Sequence, residues 1–461
     1  MGINNCPICL EKQRKIDELT EEVQRLRHAL GRQERKAKEG LFGSSTPSSR
    51  RPAKANTPEK EGKGKRGARK GHQGAGRKRG QGTPERPVVD VSPESESCPC
   101  CGGNLRDKGY EEREVLESQP VKVERTVYRL SKKYCPHCRK TYKAKAPGVL
   151  PRSLYGNQLI ANALVMHYLN GIPMGRICEQ TGVGAGSLVE IFHRLSKLFE
   201  KIPDRLIEEY RLAPVKHADE TGWRTDGKNG YAWLFATPDI SIFQFGRSRS
   251  AKVPQAVFGH EQRPGVLVVD RYSAYNKVPC QIQYCFAHLL REVTDLEKDF
   301  PDNPEIKTFV STVAPMLSLA MGLRTQDIPD KQFYRKAKKL KKEIKAAMES
   351  PAQHLAIRRI QDIFMENEER LYHWVEDRGV PADNNLAERD LRPSVIARKT
   401  SFGSITDAGA KTRSVLTSVV QSMKKQGQDV VDAIKKALDK IAQNITQDPF
   451  PLLFPKLAAV H

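Results

Sequence analysis

The chain has no uninterrupted run of roughly eighteen apolar residues, the length a membrane-crossing helix needs, so no membrane span is expected. Nor does a secretory leader open it, because the sequence is polar from Asn4 onward. Acid is in deficit: 55 Asp and Glu stand against 78 Lys and Arg, a formal charge of +23. A surplus of that size calls for a polyanion, and without a membrane-directed segment nucleic acid is a better partner than an anionic bilayer. The ten cysteines have no oxidising compartment to serve, so reduced thiols and metal ligation are expected instead of disulfides. The expected place is the cytoplasm, at the bacterial nucleoid. The 461 residues allow two to four domains.

Apolar residues are nearly missing from Ser44 to Pro87, and such a stretch cannot bury enough surface to fold alone. Between Arg50 and Pro87 it carries thirteen Lys and Arg against three Glu, a surplus of ten. Lys65, Arg66, Arg69, Lys70, Arg77, Lys78 and Arg79 therefore read as an arm that tracks phosphates, with glycines allowing close backbone approach. Ahead of it, Ile16, Leu19, Val23, Leu26 and Leu30 recur at three- and four-residue steps, a coiled-coil seam of about two heptads. A homodimer or higher oligomer is expected from it. Cys6 and Cys9 are either a zinc staple between two chains or two ordinary thiols.

Two C-x-x-C knuckles follow, one within Cys98-Pro99-Cys100-Cys101, the other Cys135-Pro136-His137-Cys138. Tetrahedral zinc takes four such ligands in pairs, with no position left open for catalysis. Thirty-four positions separate Cys101 from Cys135, longer than the usual ribbon spacing, and a β-hairpin would fill the gap. Val121, Val123, Thr126, Val127, Tyr128 and Leu130 read as strands there. Cys100 is a spare that could replace a neighbour. Next come a helix over 158–169, a second from Ile172-Pro173, a glycine turn at 181–186, and a third capped by Ser187 with Glu190. Helix, glycine turn and helix match a helix-turn-helix as well as an ordinary helical hairpin. His167, His193 and Cys178 on apolar faces read as core.

From Leu212 the period changes to two. Strands are expected at 212–219, 230–237, 240–246, 266–270 and 283–286, with helices near 250–259 and from His288. Three antiparallel strands, then helix, strand, helix and strand, is the order of an RNase H-like domain. There the first and fourth strands adjoin, which would bring Asp219 and Asp270 together at their tips. Strand alternation allows only one of Asp219 and Glu220 to face that site, and Asp219 is the choice. Glu388 belongs to a helix start at Asn385, where it could complete a capping box or serve as a third carboxylate. Arg392 lies one turn on, placed for a phosphate, and Pro393 should limit the helix beyond it. A helical insertion, with a basic helix at 336–345 and an acidic one near 366–369, separates the two halves. Three convergent carboxylates suit divalent metal and phosphodiester chemistry on double-stranded DNA.

His217-Ala218-Asp219-Glu220-Thr221, Val269-Asp270-Arg271-Tyr272, and Asp383-Asn384-Asn385-Leu386-Ala387-Glu388-Arg389 with Leu391-Arg392-Pro393 resemble the three catalytic blocks of insertion-sequence-66 family transposases. Arg398-Lys399, Phe402-Gly403-Ser404 and Gly409-Ala410 resemble the block that follows the catalytic Glu, and the N-terminal half resembles that family's arrangement too. The resemblance implies a DDE triad of Asp219, Asp270 and Glu388 holding Mg²⁺ or Mn²⁺. It implies zinc on Cys98, Cys101, Cys135 and Cys138, and small accessory proteins as partners. Cys285-Phe286-Ala287-His288 resembles a C-x-x-H that supports such sites. The expected architecture is an α+β multidomain chain: coiled coil (1–43), basic linker (44–90), zinc-binding β domain (91–150), helix-turn-helix-like region (151–211), and an RNase H-like catalytic core (212–294 and 381–461) split by a helical insertion (295–380). The expected activity is DNA cleavage and strand transfer at an element's terminal repeats. The rivals are an RNase H-like nuclease that does not join strands and a non-catalytic DNA-binding regulator.

Overall fold

The computed structural model describes Lys15, Leu19, Thr20, Val23, Cys100, Cys101 and residues 123–458. The basic arm, Cys6, Cys9, Cys98 and the rest of the heptad seam lie outside the described residues; Leu19 and Val23 are helical and exposed. The chain divides into two compact units, residues 54–121 and the remainder. Of the first, only Cys100 and Cys101 are described, both exposed in a turn.

Strands β1 (Lys132–Cys135) and β2 (Lys140–Lys143) pair antiparallel with Cys135 opposite Lys140. The second knuckle is therefore the tip of a hairpin, not the end of one. The alternating segment before it departs from expectation: residues 123–130 form no strand, and Val127 is 88% exposed. Alternation of side chains stabilises a strand only where a partner strand or core receives one face.

Helices α1 (Asn157–Leu164, continued by a π-turn Val165–Leu169), α2 (Met174–Thr181), α3 (Ala185–Leu198) and α4 (Ile202–Leu212) follow. Gly182, at φ +68°, ends α2 in the left-handed conformation that suits glycine. The expected capping box at Ser187 is not formed. Gly184 is the extended residue before α3, so Ser187 already lies inside the helix, and no side chain caps it.

The central sheet is built from β3 (Val215–Gly222), β4 (Tyr231–Ala236), β5 (Ser241–Gly246), β6 (Val266–Val269) and β7 (Gln281–Tyr284), with α5 (Lys252–Phe258) before β6. Its order is β5-β4-β3-β6-β7, antiparallel on one half and parallel on the other. First and fourth strands are neighbours, as the element order required. Two boundaries differ from expectation. Leu212 ends a helix and β3 begins after Pro214; β3 then runs past Asp219 to Gly222, because β4 keeps pairing with it there. The fifth strand lies two residues earlier than expected, and Phe286 opens α6 (Phe286–Asp299).

Helices α7 (Pro304–Leu323), α8 (Asp330–Glu349), α9 (Leu355–Glu366) and α10 (His373–Glu376) fill the expected helical segment. By length and composition alone α7 could cross a membrane. An unbroken apolar run is not needed for that, which is why the sequence pattern did not mark it. Its face of Ile306, Val310, Val313, Leu317, Ala320 and Leu323 is buried, and α6 and α8 pack against it. Helix α11 (Asn385–Ser401) continues through Pro393 for seventeen residues, contrary to expectation. An interior proline costs about 3 kcal/mol; burial of Ala387, Leu391, Val395 and Ala397, on a helix packed against β3 and β4, offsets it.

Helix α12 (Asp407–Lys425) covers the edge of the sheet. Ser414, Ser418 and Ser422, one turn apart, accept hydrogen bonds from the β5 amides of Phe245, Phe243 and Ser241 at 2.8–3.0 Å. Those amides point away from β4 and would otherwise be open for another strand to pair with. The last long helix, α13 (Val430–Gln443), packs on α1.

Candidate active site

Asp219 stands where β3 outruns its parallel neighbour. The register Val215↔Val266 to His217↔Val268, continued by two residues, sets Asp219 opposite Asp270. Asp270 follows the last residue of β6, and its Oδ1 accepts the Tyr272 amide at 2.9 Å, which turns the chain away from the sheet. Both acids arrive on buried strands: apolar β6 is buried throughout, and the largely polar β3 is buried from Lys216 on.

Glu388 comes from the first turn of α11, and the start of that helix is fastened to the tip of the sheet. Asn384 makes the attachment. Its Nδ2 donates to the Ala218 carbonyl (2.8 Å), its Oδ1 faces His217 Nδ1 (2.8 Å), and its amide reaches Cys285 Sγ (3.1 Å). One buried residue, through its side chain and its backbone amide, thus links β3, the residue after β7 and the start of α11. The alternative of a capping box is not made: the Asn385 amide donates to Asp383 Oδ1, and Glu388 Oε1 is buried without a hydrogen-bond partner.

The electrostatics record how close these groups are. Burial pushes the Asp219 carboxyl well above its ordinary range, and the charges of Glu220, Asp270 and Glu388 push it further. Asp270 is raised as well, by burial first, with Glu388 adding to it, while its own turn amide and Arg249 oppose. Among the described residues, no three His, Cys, Asp or Glu side chains close into an arrangement already able to hold an ion. Each acid makes ionisation of the others costlier, as like charges without a counterion must.

Glu220 has a different fate. It is buried, but Arg249 donates to its Oε1 through Nη2 and Nε (2.7 and 3.1 Å), and the Tyr275 hydroxyl donates to its Oε2 (2.8 Å). Arg249 lies over the Tyr272 ring at 4.1 Å. Asp219 and Glu220 are both buried, and of the two only Glu220 has a paired cation, though burial and the Asp270 charge still hold its carboxyl above its ordinary range. Sequence reasoning did not identify Arg249, Tyr275 or the linking role of Asn384; Asn384 had a signal, since it sits inside the Glu block. Cys285 is buried and supports α11 through Asn384, whereas His288 Nδ1 is buried without a partner. Arg392 is exposed one turn beyond Glu388. For the zinc residues, Cys101 and Cys138 are exposed, and the Cys135 side chain and Cys98 lie outside the described residues.

A mixed sheet wrapped in helices, with buried acids near the ends of its central strands, on a chain this basic, is in keeping with the transposase class that the family comparison shows. Residues 152–412, more than half the chain, match the family described as Transposase IS66 family, and residues 95–139 match the zinc-finger binding domain of transposase IS66. The chain belongs to the IS66 transposase family. It is similar to two proteins of Sinorhizobium fredii (strain NBRC 101917 / NGR234). One is the uncharacterized protein y4jD, 25% identical over 428 residues, or 83% of this chain and 82% of that one. The other is the uncharacterized protein y4qI, 24% identical over 356 residues, 68% and 65% of the respective lengths.

Proposed function

We propose that the protein is a DDE transposase that binds the terminal repeats of its element, cuts there and joins the freed 3′ end to target DNA. Asp219, Asp270 and Glu388 are its metal-binding triad. Three antiparallel strands followed on one side by two parallel ones support reading the core as RNase H-like, the arrangement such a triad uses. The observation that carries the reading is the uncompensated acid cluster with the unpartnered Glu388 Oε1. A carboxylate set of this hardness fits Mg²⁺ or Mn²⁺, which when bound activates water or a 3′-hydroxyl and stabilises the departing oxygen.

The chain's own contribution is placement. Asp219 is held by the β3–β4 pairing, Asp270 by the turn that follows β6, and the third acid rides on a helix whose start is tied to β3 by Asn384. Arg392, exposed one turn on, would hold a phosphate, and the cations of the 65–79 arm would track the DNA backbone. Cys98, Cys101, Cys135 and Cys138 hold a structural zinc in the zinc-finger segment. The place of action is the nucleoid, as a homodimer or higher oligomer.

The test incubates the full chain with Mg²⁺ and a labelled duplex carrying the element's terminal repeat. Cleaved plus joined product is expected. Cleavage without joining would instead indicate a nuclease of the same fold, and shifted but intact DNA a binding protein.

A further inference from the structure

Helix α8 carries a row of cations that the acid cluster does not use. Lys331, Arg335, Lys338 and Lys342 are exposed and lie at i, i+4, i+7 and i+11. At about 100° per residue they fall within roughly 60° of one another around the helix axis. The buried residues Phe333, Ala337, Leu340, Ile344 and Met348 lie on the opposite side. Among the described residues none of the four has an acidic partner, although the same helix pairs Lys339 with Glu343 and Lys345 with Glu368 off the row. The row ends toward Glu349, on the same face at the last turn.

A solvated helix face normally intersperses the two signs, because like charges at i,i+3 and i,i+4 each cost a few tenths of a kcal/mol. Here three successive like-charge pairs persist, so the face is poorly suited to stability. It is well suited to a polyanion. Eleven residues of helix cover about 16 Å, a length over which the four cations can meet a short run of phosphates. Its starting end also leads to the acid cluster. Asp330 binds Arg378, whose backbone carbonyl accepts from Arg324. The Arg324 charge is in turn felt at Asp383 and His217, beside the triad.

We propose that the exposed face of α8 is a docking surface for duplex DNA, on which Lys331, Arg335, Lys338 and Lys342 follow one strand's phosphates away from the active site. It rests on the reading of DNA as the substrate, but it is tested by binding and not by cleavage. The full chain and the variant K331Q/R335Q/K338Q/K342Q are titrated with a labelled duplex of about 30 base pairs over a salt series. A control variant loses four exposed lysines elsewhere, K277Q/K307Q/K436Q/K440Q. Neutralising the row is expected to lower the slope of log affinity against log salt by roughly 0.9 per lost phosphate contact, thus by about 3 to 4. The control should shift the slope by less than one contact. Thermal stability of the row variant should be unchanged or higher, since repulsion is removed; a merely structural row would give the reverse, a lower melting temperature with an unchanged slope. An unchanged slope, or equal shifts in row and control variants, overturns the proposal. If the row variant behaves as expected while wild-type protein leaves DNA uncut, the docking surface stands and the transposase chemistry fails; if cleavage is intact and the slope unmoved, the reverse holds.

Discussion

Two buried centres in this molecule carry charge of opposite sign, and they are resolved in opposite ways. Around Asp219 the charged neighbours are the acids Glu220, Asp270 and Glu388, each of which raises its cost of ionisation, and Glu388 Oε1 has no partner. Around Arg413 on α12 no acid pairs with the guanidinium among the described residues either, yet the cation is satisfied. It donates to His167 Nε2 at 2.9 Å and lies over the rings of Tyr168 and Trp223, 5.2 and 5.0 Å from their centroids. Accepting at Nε2 fixes His167 in the tautomer that donates from Nδ1 to the Ile172 carbonyl, 2.9 Å away. The Arg413 centre is complete within the chain. The Asp219 centre has no cation paired to it among the described residues: the charges of Arg249 and Arg271 act on Asp270, but the two side chains pair with Glu220 and Glu292. A buried charge alone therefore does not mark a site; an uncompensated group of one sign does.

The contrast can be broken most forcefully by activity. D219N, D270N and E388Q should each lower DNA cleavage by roughly a thousandfold or more, with little further loss when combined, since the three act as a unit. R413M should cleave at close to the wild-type rate if its melting allows the assay temperature. An E388Q protein that cuts normally would remove Glu388 from the centre and leave the asymmetry without a chemical meaning.

A smaller effect concerns pH. Burial, with the Arg413 charge adding to it, lowers the His167 pKa from 6.5 to about 4. The folded protein thus holds this ring neutral while the unfolded chain takes up its proton first. Stability is complete above about pH 6.5 and falls as pH drops toward 4, by up to about 3 kcal/mol. His217, lowered to about 4 by burial, should add a similar loss over the same window. Denaturant midpoints for wild type and H167Q across pH 4–7 check this; parallel curves would show that His167 does not titrate on unfolding.

The smallest effects are opposite in sign at the two centres. R413M leaves His167 Nε2 without its donor and should cost about 1–3 kcal/mol. D219N removes one of several repelling charges and should raise the melting temperature of metal-free protein at neutral pH. Mg²⁺ should raise the wild-type melting temperature but have little effect on D219N. Equal destabilisation by both substitutions would mean that the acid cluster is compensated in the free protein after all.

Much of the candidate site was legible because each of its parts is a local pattern. The apolar run ending at Asp270 could only be a buried strand, and Asn385-Leu386-Ala387-Glu388 could only start a helix. The order of elements made the first and fourth strands neighbours. Errors fell where a long-range neighbour decided the outcome. Residues 123–130 alternate but have no partner strand. Ser187 has the composition of a cap, yet Gly184 takes that place. Pro393 is carried inside α11 because the buried face of that helix is continuous on both sides of it.

By itself, the amino-acid order determined the kind of protein this is: the charge surplus, the paired cysteines, the strand and helix periods and the three acid-bearing blocks are all properties of neighbouring residues. Only the tertiary structure decided which acids remain uncompensated. Asp219 and Glu220 are adjacent in the chain and both buried, but one meets Arg249 and Tyr275 and the other meets Asp270 and Glu388. Those partners come from segments far apart along the chain, so no local pattern could have told the two carboxylates apart.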